Sequence, residues 1–218
     1  MYRWDIINKI IQENGFTEYL EIGVRNPEDC FNRIICENKD GVDPGFEAEE
    51  NLVNYPYTSD EFFLKLESGN LDKKPNFKWD VVFVDGLHLS FQVIKDVRNS
   101  LNHLNSGGYI ILHDCNPAEI FHAREDYKVN GEPFLWNGTV WKAIYNLRTD
   151  QGLDVCTVNT DYGCGIIRRS DNSYPKRPRI DLDNEFYEYN IMARDRRKNL
   201  GLIQVSELED WLSYRVRV

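Results

Sequence analysis

The sequence predicts an α/β protein with a Rossmann-like, doubly wound and mostly parallel sheet that has helices on both faces. Segments typical of strands alternate with segments typical of helices along most of the chain. Two of the strand segments, 79–86 and 109–114, contain unbroken apolar runs, which are typical of strands buried on both faces. The last two strand segments, 155–158 and 163–167, are separated only by a short turn, which predicts an antiparallel pair.

Each predicted strand is a short apolar run that ends at a turn or at polar residues. The strands are expected at 19–23, 41–45, 79–86, 109–114, 155–158 and 163–167, with a weaker candidate at 53–58. The helices are expected at 4–13, from Asn26 through Ile35, at 60–67, at 91–104 and at 140–147.

Local signals set the helix ends. Asn26 followed by Pro27 is typical of a helix start, and Ser59 is a candidate cap for the helix 60–67. The glycines of the segment 106–108 predict the end of the helix that precedes them. In that helix, the apolar residues expected on one buried face are Phe91, Ile94, Val97, Leu101 and Leu104.

Composition excludes several classes of protein. The chain has 218 residues, enough for one ordinary domain, and a net charge of −10, which argues against nucleic acid or an anionic membrane as the main partner. It contains no apolar run of about 20 residues and starts without the apolar core of a signal peptide. Its five cysteines lack paired metal-ligand spacing, so we expect reduced thiols and a cytoplasmic location.

The charge is unevenly distributed along the chain. Residues 171–218 carry nine basic and nine acidic residues, so the whole net charge of −10 falls in residues 1–170. We therefore expect a folded domain over 1–170 and a C-terminal appendage over 171–218 that packs on this domain or on a second subunit.

Ionisable residues follow the predicted strands, at the edge where open α/β sheets bind ligands. They are Glu21 and Gly23, Asp43, Asp85 and His88, and His113 and Asp114. Asp43 lies 22 residues after Glu21, the spacing at which an acid can bind a ribose diol. The loop after Glu21 lacks the glycine pattern of dinucleotide sites, and Glu28 and Asp29 would repel a pyrophosphate. A cationic cofactor without phosphates, such as S-adenosylmethionine, fits better.

Several segments, taken in order, resemble class I S-adenosylmethionine-dependent methyltransferases. They are YLEIGV (19–24), GVDPG (41–45), TSDEFF (58–63), WDVVFVDGLHLSFQVIKDV (79–97), LNSGGYIILHDCNP (104–117) and WNGTVWKAI (136–144). The resemblance is to enzymes of polysaccharide and natural-product clusters, similar to macrolide-sugar O-methyltransferases. It implies a seven-stranded sheet with an antiparallel last strand. It also implies that Glu21 and Gly23 belong to the cofactor loop, Asp43 binds the ribose and Ser59 lies near the adenine.

The resemblance also implies a site for methyl transfer to a hydroxyl group, on a small sugar or glycoconjugate precursor. His88 matches the general base of the DxxH pattern, and Asp85 and Asp114 match carboxylates that bind a divalent metal such as Mg²⁺. Asp85 is also a candidate for contact with the cofactor. Two departures from the family pattern are the segment 24–27, which is poorer in glycine, and the segment HDC (113–115), which has one Asp where those enzymes have two together.

The sequence alone leaves three questions open. A nicotinamide-dependent oxidoreductase and a non-catalytic cofactor-binding protein are alternatives to the methyltransferase. Because neighbouring residues of a strand point to opposite faces, only one of His113 and Asp114 is expected to face the ligand, and Asp114 is favoured. The acceptor and the oligomeric state, which includes a possible homo-oligomer, have no signature in the sequence.

Overall fold

The computed structural model describes residues 1–47, 50–170 and 184–213 of the chain. Its helices are α1 (Arg3–Asn14), α2 (Ser59–Glu67), α3 (Ser90–Asn102), α4 (Val140–Leu147), α5 (Tyr189–Arg194), α6 (Arg196–Leu200) and α7 (Leu208–Ser213). Its strands are β1 (Glu18–Ile22), β2 (Asn38–Val42), β3 (Trp79–Val84), β4 (Leu104–Leu112), β5 (Lys128–Val129), β6 (Glu132–Pro133), β7 (Leu153–Val158), β8 (Cys164–Arg169) and β9 (Leu202–Ile203). None of these helices is long and apolar enough to cross a bilayer.

Seven strands form one sheet in the order β2-β1-β3-β4-β8-β7-β9, and β5 and β6 form a separate two-stranded ribbon. β1 pairs in parallel with both β2 and β3, and β7 pairs antiparallel with β8. The mostly parallel, Rossmann-like sheet predicted from the sequence is therefore confirmed. β1 and β3 are buried along nearly their whole length, and the unbroken apolar run of 79–86 predicts this for β3.

The seventh strand is not the one that the sequence suggests. The weak candidate at 53–58 forms only an isolated bridge between Val42 and Tyr55. The sheet instead takes its seventh strand from β9, which pairs in parallel with β7. Residues 202–203 lie in the predicted appendage, so the appendage contributes a strand to the sheet; the division of the chain at residue 170 stays a prediction.

The predicted helix from Asn26 through Ile35 is wrong. Two single turns of 3-10 helix, Pro27–Asp29 and Phe31–Arg33, occupy the segment. Asn26 caps the first turn, as predicted, because its side chain accepts a hydrogen bond of 3.2 Å from the backbone of Glu28. Cys30 then takes a non-helical conformation (φ −150°) and buries its side chain, which interrupts the helix after one turn.

The buried face of α3 also differs from the prediction. Val93, Asp96, Val97 and Ser100 are its buried residues, whereas 65% of Phe91 is exposed. The prediction missed this face because two of its residues are polar and the apolar pattern leads elsewhere. α3 ends at Asn102, and the segment 106–108, predicted to be its end, lies inside β4. The cap of α2 is Thr58, one residue before the predicted Ser59.

The chain forms two compact units, and each is described by itself. The N-terminal unit contains residues 2–47, 50–87 and 92–111, with β1, β2, β3 and most of β4. The C-terminal unit contains residues 1, 88–91, 112–170 and 184–213, with β7, β8 and β9.

Candidate active site

In the N-terminal unit, the loop after β1 approaches the end of β3 very closely. Gly23 has a φ of 89°, and a Cβ atom at this position would overlap the backbone of Asp85 and Gly86. The amide of Asp85 donates to the carbonyl oxygen of Ile22 (2.8 Å), which joins the two strand ends. Gly23 is therefore required by the contact between two backbones, and it brings the predicted cofactor loop next to Asp85.

Glu21 is buried inside the N-terminal unit, with 1% of its surface exposed. Its Oε2 accepts a hydrogen bond of 2.6 Å from the hydroxyl of Tyr19, which lies two residues earlier on the same face of β1. Burial raises the pKa of Glu21 to about 8, and the nearby negative charge of Asp85 adds to the effect, although the Tyr19 hydroxyl opposes it. Glu21 is therefore largely protonated at neutral pH.

Asp43 follows β2, and backbone amides hold its carboxylate. Oδ2 accepts from the amide of Arg25 (2.8 Å) and Oδ1 accepts from the amide of Gly45 (2.7 Å). Arg25 has a φ of 49°, and this turn aims its amide at the carboxylate. Asp43 is half-buried, so its fixed carboxylate can still accept hydrogen bonds from a diol.

Ser59 and Asp85 complete the predicted residues of the N-terminal unit. The hydroxyl of Ser59 lies 3.2 Å from Nε2 of Gln92, and it also hydrogen-bonds to the buried Asp96 of α3. Asp85 is half-buried, and its Oδ2 lies 3.9 Å from Nε of Arg3. The contacts of Ser59 thus join α2 to α3, whereas Asp85 lies beside a cation at the end of β3.

In the C-terminal unit, His88 and Asp114 form a close pair. Nδ1 of His88 lies 3.2 Å from Oδ2 of Asp114, and the side chains are 18% and 9% exposed. A carboxylate at Nδ1 holds an imidazole in one orientation and favours the form that carries its proton on Nδ1. The sequence predicted both residues as catalytic, and the structure brings them into contact.

His113 lies on the same side as Asp114, contrary to the sequence expectation that the two point apart. Nδ1 of His113 is 3.4 Å from Oδ2 of Asp114, and its Nε2 is 3.6 Å from Oδ2 of Asp161. The expectation was wrong because β4 ends at Leu112, and Asp114 has a φ of 59°. The alternation of side chains in a strand therefore does not extend to these residues.

The sequence analysis did not identify Asn137 as a site residue. Its Nδ2 donates a hydrogen bond of 2.6 Å to Oδ1 of Asp114, and 1% of its surface is exposed. Trp136, its neighbour, stacks on His88 with 4.9 Å between ring centroids. Both residues lie within the segment 136–144 that resembles the methyltransferases, and this match was the only available signal.

Cys115 is excluded as a nucleophile by its surroundings. The thiol is fully buried, and its sulfur lies 3.4 Å from the carbonyl oxygen of His113 and 3.6 Å from that of Leu112. Burial raises the pKa of this thiol well above its usual value, so the reactive thiolate is not formed at neutral pH.

The seven-stranded, mostly parallel sheet matches the Rossmann-like fold of methyltransferases, as the sequence predicts. Residues 42–115, which are 74 of the 218, match a family described as a methyltransferase domain. The match includes Asp43, Asp85, His88 and Asp114.

Solved structures show the same fold. The SAH-bound methyltransferase PaMTH1 of Podospora anserina is 16% identical over 76% of each chain, with a TM-score of 0.52. An O-methyltransferase from Bacillus cereus, in complex with SAH, is 12% identical over 76% of this chain and 79% of its own, with a TM-score of 0.50. No curated protein matches the chain.

Proposed function

We propose that the protein transfers the methyl group of S-adenosylmethionine to a hydroxyl group of a small, sugar-like acceptor, with His88 as the general base. The observation that carries the proposal is the contact of 3.2 Å between Nδ1 of His88 and Oδ2 of Asp114. A histidine oriented in this way by a carboxylate is suited to accept a proton at its other nitrogen.

The proposed reaction is an in-line displacement at the methyl carbon. A new bond forms between the acceptor oxygen and the methyl carbon while the bond from that carbon to sulfur breaks, and its electron pair leaves the sulfur uncharged. Nε2 of His88 takes the proton of the hydroxyl. Imidazole titrates near neutral pH, so it can accept this proton and release it to solvent afterwards.

The proposed cofactor residues belong to the N-terminal unit. Asp43 binds the ribose hydroxyls, because its carboxylate is already held by the amides of Arg25 and Gly45. Gly23 shapes the loop, Glu21 supports it from the buried side of β1, and Asp85 contributes an acidic group suited to a cationic donor. Ser59 remains the proposed residue near the adenine.

The sugar-like acceptor follows from the resemblance to enzymes of polysaccharide clusters and from the aromatic side chains around His88. Trp136 stacks on His88, and Tyr127 lies next to Trp136 with 5.6 Å between ring centroids. Flat aromatic faces of this kind suit the apolar faces of sugar rings. The acceptor is proposed to approach His88 along this segment.

Binding of a divalent metal such as Mg²⁺ is the second part of the proposal, with Asp85 in the N-terminal unit and Asp114 in the C-terminal unit each a candidate ligand. Mg²⁺ prefers carboxylate oxygens as ligands. Oδ1 of Asp114 accepts one hydrogen bond among the described residues, from Asn137, so the second of its two lone pairs is available to a metal. A bound cation would lower the pKa of the acceptor hydroxyl.

Calorimetric titration with S-adenosylmethionine tests the cofactor. We expect binding well below about 1 mM, and Asp43→Asn should weaken it at least about tenfold, since one charge-assisted contact to the ribose is lost. Glu47→Gln, a surface change near the same loop, serves as the control. Absence of binding at millimolar concentration would contradict the proposal, and binding of a nicotinamide cofactor would favour the oxidoreductase.

Methyl transfer to a panel of free sugars and nucleotide sugars tests the reaction. His88→Gln should lower turnover about 10²- to 10⁴-fold and leave the affinity for S-adenosylmethionine unchanged, because it removes only the base. Full activity after treatment with EDTA would eliminate the metal. Cofactor binding without transfer to any member of the panel would favour the non-catalytic alternative.

A further inference from the structure

We propose that the segment Trp136–Thr139, here called the clamp segment, positions His88 for proton transfer, and that Asn137 is its central positioning residue. The proposal rests on the function proposed for His88. It is carried by a separate observation: each of the four consecutive residues of the segment contacts His88, its carboxylate partner or the start of the helix that follows it.

Asn137 acts on the carboxylate partner of His88. Its Nδ2 donates to Oδ1 of Asp114 (2.6 Å), while Oδ2 of the same carboxylate faces Nδ1 of His88 (3.2 Å). One hydrogen bond therefore fixes the rotation of the Asp114 carboxylate about its Cβ–Cγ bond. This rotation decides whether Oδ2 faces the imidazole.

The other three residues hold the ring and the backbone of His88. Trp136 stacks on the imidazole at an interplanar angle of 21°, which restricts its tilt. The amide of Thr139 donates to the carbonyl oxygen of His88 (2.7 Å), and its hydroxyl accepts from the amide of Ser90 (2.8 Å).

Gly138 permits this arrangement. It has a φ of 61°, and a Cβ atom at this position would overlap the carbonyl oxygen and Cβ of His88. A glycine is therefore required where the two backbones meet, as expected for a segment built around His88.

Only one of the two polar atoms of the Asn137 side-chain amide has a hydrogen-bond partner among the described residues. Its Oδ1 is buried and has no hydrogen-bond partner among the described residues, although its Nδ2 is engaged by Asp114. Burying an unpartnered carbonyl oxygen costs stability. An apolar residue would avoid this cost, so the benefit of Asn137 lies in the hydrogen bond to Asp114.

The clamp segment selects one tautomer of His88. We expect the Asp114 carboxylate, 3.2 Å from Nδ1 in an ion-pair contact without hydrogen-bond geometry, to favour the neutral form of His88 that carries its proton on Nδ1 and presents a lone pair at Nε2. If the carboxylate turns away, the ring shifts toward the Nε2–H form, which histidine favours in water. In that form Nε2 cannot accept the proton of the acceptor.

NMR of the imidazole nitrogens tests the proposal without any acceptor. The chain has four histidines, and the signals of His88 are identified by their loss in His88→Gln. We expect the Nδ1–H form in the wild type and a shift toward Nε2–H in Asn137→Leu, which removes the donor but fills the space. Asn146→Leu is the matched control, because Asn146 hydrogen-bonds to Tyr187 and should leave the His88 signals unchanged.

A folded Asn137→Leu variant that keeps the wild-type tautomer would overturn the proposal, whatever its melting temperature. If this variant does not fold, Asn137→Ser, whose shorter side chain does not reach Asp114, should show the same shift. Failure of the proposed function is seen separately, as absence of S-adenosylmethionine binding in calorimetry.

Kinetics with an accepted substrate give a second test. Asn137→Leu should lower kcat about tenfold or more without raising KM, and it should cause no further loss of kcat in the His88→Gln background. Additive losses would contradict a role through His88.

Discussion

At the scale of single residues, Glu21 illustrates the difference between finding an acidic residue and knowing its charge. The sequence places it at the end of a strand, where a cationic ligand could use a carboxylate. The structure buries it against Tyr19 and raises its pKa to about 8. The native protein therefore holds a proton that the unfolded chain, with a pKa of 4.5 for this group, releases above about pH 5.

This shift predicts a pH-dependent loss of stability. Because the folded-state pKa is the higher one, the contribution of Glu21 is fully present below pH 4.5 and is lost as the pH rises through 8. Glu21→Gln cannot ionise and can still accept from Tyr19. The variant should therefore gain stability relative to the wild type between pH 5 and 9, by up to about 5 kcal/mol.

The measurement is urea unfolding of both proteins across this pH range. Glu13→Gln, at the exposed end of α1, controls for the loss of one negative charge. A constant difference between wild type and Glu21→Gln at all pH values would contradict the shifted pKa.

The candidate site was predicted from the sequence only in part. His88 and Asp114 were found because each follows an apolar strand at a recognisable position. Asn137 was not found as a partner, because it lies 23 residues after Asp114 and no spacing rule connects them. The predicted side-chain direction of His113 was wrong because the sequence did not show where β4 ends. The alternation of side chains was applied to His113 and Asp114, which lie after the end of the strand.

At the scale of elements, the end of β1 is fixed by a close backbone contact between Gly23 and the residues that follow β3. Gly23 and Gly15 both have positive φ angles, of 89° and 64°, but only Gly23 of this pair is crowded by neighbouring atoms. Gly15 ends α1, and a Cβ atom added there would meet no atom of the described residues within 4 Å. A side chain at Gly15 would therefore cost only the free energy of an unfavourable φ, whereas a side chain at Gly23 would also cost the free energy of steric overlap.

Replacement of each glycine by alanine should reveal this difference. Gly15→Ala should cost about 1 kcal/mol, the cost of the left-handed conformation alone. Gly23→Ala should cost about 3 kcal/mol or more, because the loop must also move away from Asp85. Thermal or urea unfolding measures both losses of stability. Equal losses would contradict the prediction, because they would show that the backbones at Gly23 and Asp85 move apart at little cost.

At the scale of the whole molecule, the architecture was predictable because strand and helix segments alternate and because β3 and the end of β4 contain continuous apolar sequences. The connections were less predictable. The segment from Asn26 through Ile35 has a good helix start, yet burial of Cys30 limits it to short turns. β9 has only two residues, too few for any periodic pattern, so its place in the sheet could not be deduced.

The position of β9 has a consequence for biosynthesis. β9 follows the end of β7 by 44 residues, from 158 to 202, yet it pairs with the last two residues of that strand, Thr157 and Val158. During translation, β7 emerges from the ribosome long before its neighbour and spends that interval with unpaired backbone groups. Nascent chains are therefore exposed to strand-to-strand association at this edge until Leu202 and Ile203 arrive.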